Sequence, residues 1–340
     1  MVGLKRINLA LQGGGAHGAF TWGVLDRLLE EERIEVAAIS GTSAGAMNGA
    51  AFKAGWLEDG RDGAKAQLDW LWSQLGAVQD LRMPGWMAGS LPMPGAVSAA
   101  LELSPAYLMA DAASRMISPY AYGPFYRNPL RPIAEAFEYD KVCAETGPRL
   151  FVGATNVHDG KIRVFTGQQI STEAILASAC LPTMFQAVEI DGAHYWDGGY
   201  TGNPALYPLF DFDLPDDILI VNINPLERAE VPRSPQEIQN RINEISFNSS
   251  LLRELRAIRF AQRLLQDGAV RDGAMKHVLV HMIADDVLMQ ELSVATKLIA
   301  TPYILSKLKE AGRAACDGFL AAHFDDLNTR SSTDIEAMFV

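Results

Sequence analysis

Two strand-to-helix turns follow one another within the first fifty residues, and together they narrow the fold more than any other feature. In the first, an apolar strand at residues 6–11 runs into Gln12-Gly13-Gly14-Gly15-Ala16-His17-Gly18. The segment 18–31 then carries Phe20, Val24, Leu25, Leu28 and Leu29 on one helical face. The second turn is Gly41-Thr42-Ser43-Ala44-Gly45, between a short apolar strand at 36–39 and small residues, 44–51, that begin another helix. Strand, loop, helix, strand, turn, helix is the opening of a parallel sheet with helices on its faces.

The pattern continues with a helix at 62–75, a helix at 130–137 and a strand at 150–155. His158-Asp159-Gly160 then turns into a pairing strand, and a short helix at 171–180 is stopped by Pro182. A hairpin at 188–196 turns on Asp191-Gly192, and 218–223 is a strongly apolar strand. Downstream lie a long amphipathic helix at 235–266, a strand at 278–283 and a helix at 303–322. The long helix places Ile238, Ile242, Ile245, Leu252 and Leu255 on one face and carries Arg253, Arg256, Arg259 and Arg263, read as a solvated face. We therefore divide the chain into a sheet domain, 5–225, and a mainly helical extension, 226–340, packed on it. Residues 84–109 differ in texture, rich in Pro, Gly and Met and nearly uncharged. With Trp86, Met87, Met93 and Met109 they fit either a packed loop or a cap that meets lipid.

Charge excludes one class of partner. The 340 residues carry a net charge of -12, whereas nucleic-acid binding needs clustered Lys and Arg. Cys143, Cys180 and Cys316 are widely spaced and odd in number, which suits free thiols in a reducing compartment. The N-terminus passes straight into a strand, and no apolar run approaches the roughly 20 residues needed to span a bilayer. A cytoplasmic protein is the expectation, with peripheral membrane contact if 84–109 meets lipid.

The spacing of Gly13, Gly15 and Gly18 also fits a dinucleotide site. Such a site wants an acidic residue at the end of the second strand, and here that strand ends in Ile39-Ser40-Gly41. The strand leads instead into G-x-S-x-G, the sequence of a sharp turn that exposes a serine at a helix N-terminus. Ser43 is thus a candidate nucleophile. The backbone N–H groups of Gly13, Gly14 and Gly15, helped by Ala44, are candidate oxyanion donors. A serine nucleophile needs a base. His277 and His281 flank an apolar strand, His323 lies in a helix, and His158 and His194 lie beside turns. Asp197 follows a strand and opens a glycine turn, so its carboxylate can project into a site. Singly, Ser43 reads as a helix N-cap and Asp197 as a turn residue; the combination is what points to ester chemistry.

With these pieces in place the chain resembles the patatin-like phospholipases, or lipid acyl hydrolases. The matching segments are residues 13–18, 41–45, 177–182 with Phe185, and Asp197-Gly198-Gly199. The resemblance implies a three-layer α/β/α sandwich over 5–225, with Ser43 as nucleophile and Asp197 as base in a dyad without histidine. Gly18, Gly41, Gly45, Gly198 and Gly199 support the motifs. Substrates would be lipid-type acyl esters, with phospholipid, lysophospholipid, acylglycerol, thioester and polyester all open. No metal or organic cofactor is implied. His17 departs from the pattern, because the family usually has Arg or Lys there. A nicotinamide-dependent oxidoreductase and a non-catalytic lipid-binding protein on the same fold are the alternatives.

Overall fold

The computed structural model describes residues 3–78, 94–102, 104, 117–271 and 273–339. Eight strands form one sheet: β1 (Lys5–Leu11), β2 (Ile34–Thr42), β3 (Arg149–Asn156), β4 (Ile162–Thr166), β5 (Val188–Ile190), β6 (Ala193–Asp197), β7 (Asp217–Val221) and β8 (Leu279–Ile283). Seven lie in the order β5-β6-β3-β2-β1-β7-β8, and β4 also pairs with β3. The pairs from β3 through β2, β1 and β7 to β8 are all parallel, whereas β4, β5 and β6 pair antiparallel. The principal helices are α1 (Gly18–Leu28), α2 (Ala44–Val78), α3 (Pro94–Glu102), α4 (Thr172–Ser178), α5 (Pro235–Gln266), α6 (Val294–Leu298) and α7 (Pro302–His323).

Alternation along β1 and β7 splits the core into two layers, as period-two side chains must. Ile7, Leu9 and Leu11, with Leu219 and Val221, join a cluster with α1, α2 and α7. Ala10, with Ile218 and Ile220, joins Leu251, Leu255 and Ile258 of α5. The sheet is therefore the middle of a three-layer α/β/α sandwich. The division at residue 225 does not mark a break in this architecture: β8 extends the sheet beside β7, and α7 packs closely on α1.

The helices read at 44–51 and 62–75 are the two arms of α2, parted where Asp59 and Gly60 leave helical geometry. Two expectations change. The apolar face of α5 is not continuous, because its buried side is Leu251, Leu255 and Ile258 while Ile238, Ile242 and Ile245 are exposed. The arginines of α5 do not form a purely solvated face. Arg259 pairs with Glu336, and Arg256 stacks over Phe339 at 4.7 Å. Of the segment 84–109, Pro94–Glu102 is helix α3, with Ser98 hydrogen-bonded to Ser293 at 2.9 Å. Trp86, Met87, Met93 and Met109 lie outside the described residues, as does any cap they would form.

Candidate active site

The register of β3 brings the two ends of the site together. β2 pairs with β3 as far as Thr42 opposite Gly153, and β6 takes over with Asp197 opposite Ala154. Consecutive residues of one strand thus hold Asp197 beside the residue that precedes Ser43. Ser43 has φ +55°, in the left-handed region that a non-glycine residue enters only at a cost. Its carbonyl accepts the first helical bond of α2, from the Met47 N–H at 3.1 Å. Its N–H donates to Ser178 Oγ at 2.9 Å, and the Ser178 hydroxyl donates to the Gly153 carbonyl at 2.6 Å. The turn is sharp because both flanking glycines touch backbone. A Cβ on Gly45 would strike the Leu11 carbonyl, and one on Gly41 would strike Gly45.

Asp197 is equally fixed. Its N–H donates to the Cys180 carbonyl at 2.8 Å, and its own carbonyl accepts from Thr155 Oγ1 at 2.8 Å. Its Oδ1 accepts the Gly199 N–H at 2.7 Å. Burial pushes the Asp197 carboxyl up to about 7, although the Gly199 N–H and the Ser43 side chain both hold it down. Such a value sits where a general base works best near neutral pH. Ser43 and Asp197 border one cavity of about 510 Å³, together with Gly14, Gly15 and Ala44. Met47, Trp72, Leu75, Leu130, Phe185 and Phe247 give it an apolar wall.

The sequence profile of the family described as patatin-like phospholipase matches residues 9–210. The chain belongs to this family. Among solved structures it is similar to VipD from Legionella pneumophila, at 16% identity and a TM-score of 0.42, covering 94% of this chain and 67% of that one. It is also similar to a chain of the ExoU–SpcU complex from the type III secretion system of Pseudomonas aeruginosa. That match has 18% identity and a TM-score of 0.32, covering 95% of this chain and 61% of the other. No curated protein matches the chain in sequence.

Within this patatin-like frame the glycine loop differs from the sequence expectation at Gly13. Its N–H donates to Asn203 Oδ1 at 2.6 Å, and Gly13 is absent from the cavity wall. An amide already bonded to a side chain is a poor oxyanion donor, so Gly13 fixes the loop, and Gly14 and Gly15 remain as candidates. Gly15 has φ +59°, and a Cβ there would strike the Lys297 carbonyl. Gly18 packs on Ala44 and Trp72, and Gly198 on the Gly153 carbonyl, so both serve close packing.

Asn203→Ala leaves the buried Gly13 N–H without its acceptor. Unfolding stability in urea is expected to fall by about 1–3 kcal/mol. An unchanged midpoint would show that the loop does not depend on this bond.

Among the described residues of this patatin-like protein no histidine borders the cavity. His281 is buried between Asp217 and Ser332, each at 2.9 Å. His323 bonds Asp326, and His158 meets His194 at the hairpin. His17 is buried with Nε2 2.8 Å from Thr296 Oγ1. Burial, and secondarily the charge of Lys297, lower its pKa well below 6.5, so the ring is neutral. Sequence reasoning assigns no role to Ser178, Asn203, Asn224 or Lys297, which build the turn, the loop and the cavity wall. Ser178 falls inside the 177–182 segment that resembles the family; the others are brought in from beyond the motifs by the fold.

Proposed function

We propose that the protein hydrolyses lipid-type acyl esters with Ser43 as nucleophile and Asp197 as its base. The observation that carries this is a buried serine, held in left-handed backbone at a strand-to-helix turn, sharing an apolar cavity with a carboxylate raised to about 7. Ser43 Oγ attacks the ester carbonyl as Asp197 takes its proton. The amides of Gly14, Gly15 and Ala44 receive the tetrahedral oxyanion, favoured also by the N-terminus of α2. The intermediate collapses, Asp197 protonates the departing alcohol, and an acyl-serine remains. Water then gives its proton to Asp197 and attacks the acyl carbon. Collapse releases the acid and returns the proton to Ser43.

The decisive experiment is a panel of acyl esters of varied chain length, with Ser43→Ala protein as the blank and a fluorophosphonate probe alongside. Turnover that vanishes in the blank, with labelling at Ser43, is expected. Labelling at another serine, or lipid binding without turnover, would overturn the proposal.

Contact with a lipid surface belongs to the same proposal. Gln239, Asn243 and Phe247 of α5 line the cavity, and on that helix Ile238, Ile242 and Ile245 are 43%, 53% and 54% exposed. An apolar stripe beside a cavity suits shallow burial in a bilayer interface. Ile242→Asp with Ile245→Asp is expected to weaken sedimentation with phospholipid vesicles by about ten-fold or more, since placing two carboxylates in the interface is costly. Turnover of a short soluble ester should hardly change. Equal vesicle binding by the double variant would remove α5 from the interface.

A further inference from the structure

The cavity contains a cation that the glycine and serine motifs do not account for. Lys297, in α6, lines the same wall as Gly14, Gly15 and Ser43. Its backbone carbonyl packs against Gly15, and the neighbouring Thr296 holds His17. Its Nζ donates to Asn224 Oδ1 at 2.8 Å. Asn224 Nδ2 in turn donates to the Gly13 carbonyl at 2.9 Å and to Gln12 Oε1 at 3.0 Å. The ammonium is therefore tied to the glycine loop through one amide.

Charge accounting leaves Lys297 available. Among the described residues no carboxylate forms an ion pair with it. Glu244, the acid whose charge acts on it, is bridged by Arg228 at 2.6 Å and by Arg241 at 3.2 Å. An ammonium has three donors, and the Asn224 bond uses one. His17, the ring beside the loop, is neutral and cannot supply charge. Burial lowers the Lys297 pKa to about 8, which leaves it largely protonated at neutral pH. Its ammonium is held at the glycine-loop end of the cavity by Asn224, whose amide also donates to the Gly13 carbonyl. A cation there meets a substituent of the substrate rather than the proton that Asp197 takes.

We infer that Lys297 is a specificity-determining residue that binds an anionic group, such as a phosphate, carried on the alcohol half of the acyl ester. This rests on the proposed ester hydrolysis at Ser43 and adds the substrate's charge to it. The region after residue 226 then contributes directly to substrate choice. A point-charge ammonium suits phosphate recognition without demanding a bidentate geometry.

The test compares dihexanoylglycerol with its phosphate monoester, which share acyl chains and differ in one anion. Wild type should favour the phosphate ester. Lys297→Met should lower kcat/KM for that substrate about ten-fold or more, mainly through KM, because a charge-assisted hydrogen bond is lost. The preference, read as the ratio of kcat/KM for the phosphate ester to that for dihexanoylglycerol, should fall about as much, and Lys297→Arg should keep most of it. Inorganic phosphate should compete with the phosphate ester on wild-type protein, a readout that does not depend on any variant folding. Equal losses on both substrates, no loss on the phosphate ester, or no competition by phosphate would overturn the inference. In those cases Ser43-dependent turnover of dihexanoylglycerol would leave the proposed function intact. Absence of turnover on both esters, with no labelling of Ser43, would instead remove the proposed function itself.

Discussion

Ser43→Ala is expected to lose ester turnover by a factor on the order of 10⁴ or more, because removing a serine nucleophile removes the covalent path and leaves only binding and oxyanion contacts. The protein should fold normally, since the Ser43 side chain lies at a cavity rather than in the packed core. Ser43→Gly separates chemistry from strain. A non-glycine residue at φ +55° costs roughly 1–2 kcal/mol, and glycine relieves it. The glycine variant should therefore be as inactive as the alanine variant yet melt at a higher temperature. Strain held at one residue while the surroundings fix its geometry is a common property of reacting sites. A glycine variant that melts lower would show that Ser43 is not strained in this turn.

The turns that place Ser43 and Asp197 are legible in the sequence because each is set by its own few neighbours. Gly41 and Gly45 permit the sharp turn, and Asp197-Gly198-Gly199 ends a strand that its alternation reveals. What sequence cannot supply is which backbone groups are already engaged. The Gly13 N–H reads as free, yet Asn203, distant in the chain, occupies it. The same holds for α5: periodicity marks Ile238 and Ile242 as apolar, but the sheet face that buries Leu251 and Leu255 does not reach them. Strand β2 extends to Thr42, beyond its apolar run, because pairing with β3 satisfies the backbone of Ser40, Gly41 and Thr42. Lys297 carries no signal at all, since a lone lysine between Thr296 and Leu298 gives no hint of the glycine loop it joins.

Asp197 should impose a pH dependence on both activity and stability, with opposite preferences. The proposed base works ionised, so log kcat/KM on a neutral ester is expected to rise with pH up to about 7 and then level off. A neutral ester keeps the titration of Lys297 out of the substrate term. Stability runs the other way. Burial raises the folded-state pKa above the ordinary 3.8, so the native protein binds a proton that the unfolded chain has released. That contribution is complete below about 4 and is lost as pH rises through about 7. Asp197→Asn keeps the shape without the charge. It should abolish the pH-dependent limb along with most turnover. Relative to wild type it should also gain stability at pH 8, on the order of 4 kcal/mol, and less than about 1 kcal/mol at pH 4. Glu254 is likewise raised to about 7, but it is common to both proteins and cancels in the difference. Paired urea titrations at the two pH values measure that difference directly. An equal gain at both would mean that Asp197 carries no buried charge in the folded protein. A rising limb that survived in Asp197→Asn would assign the base to another group.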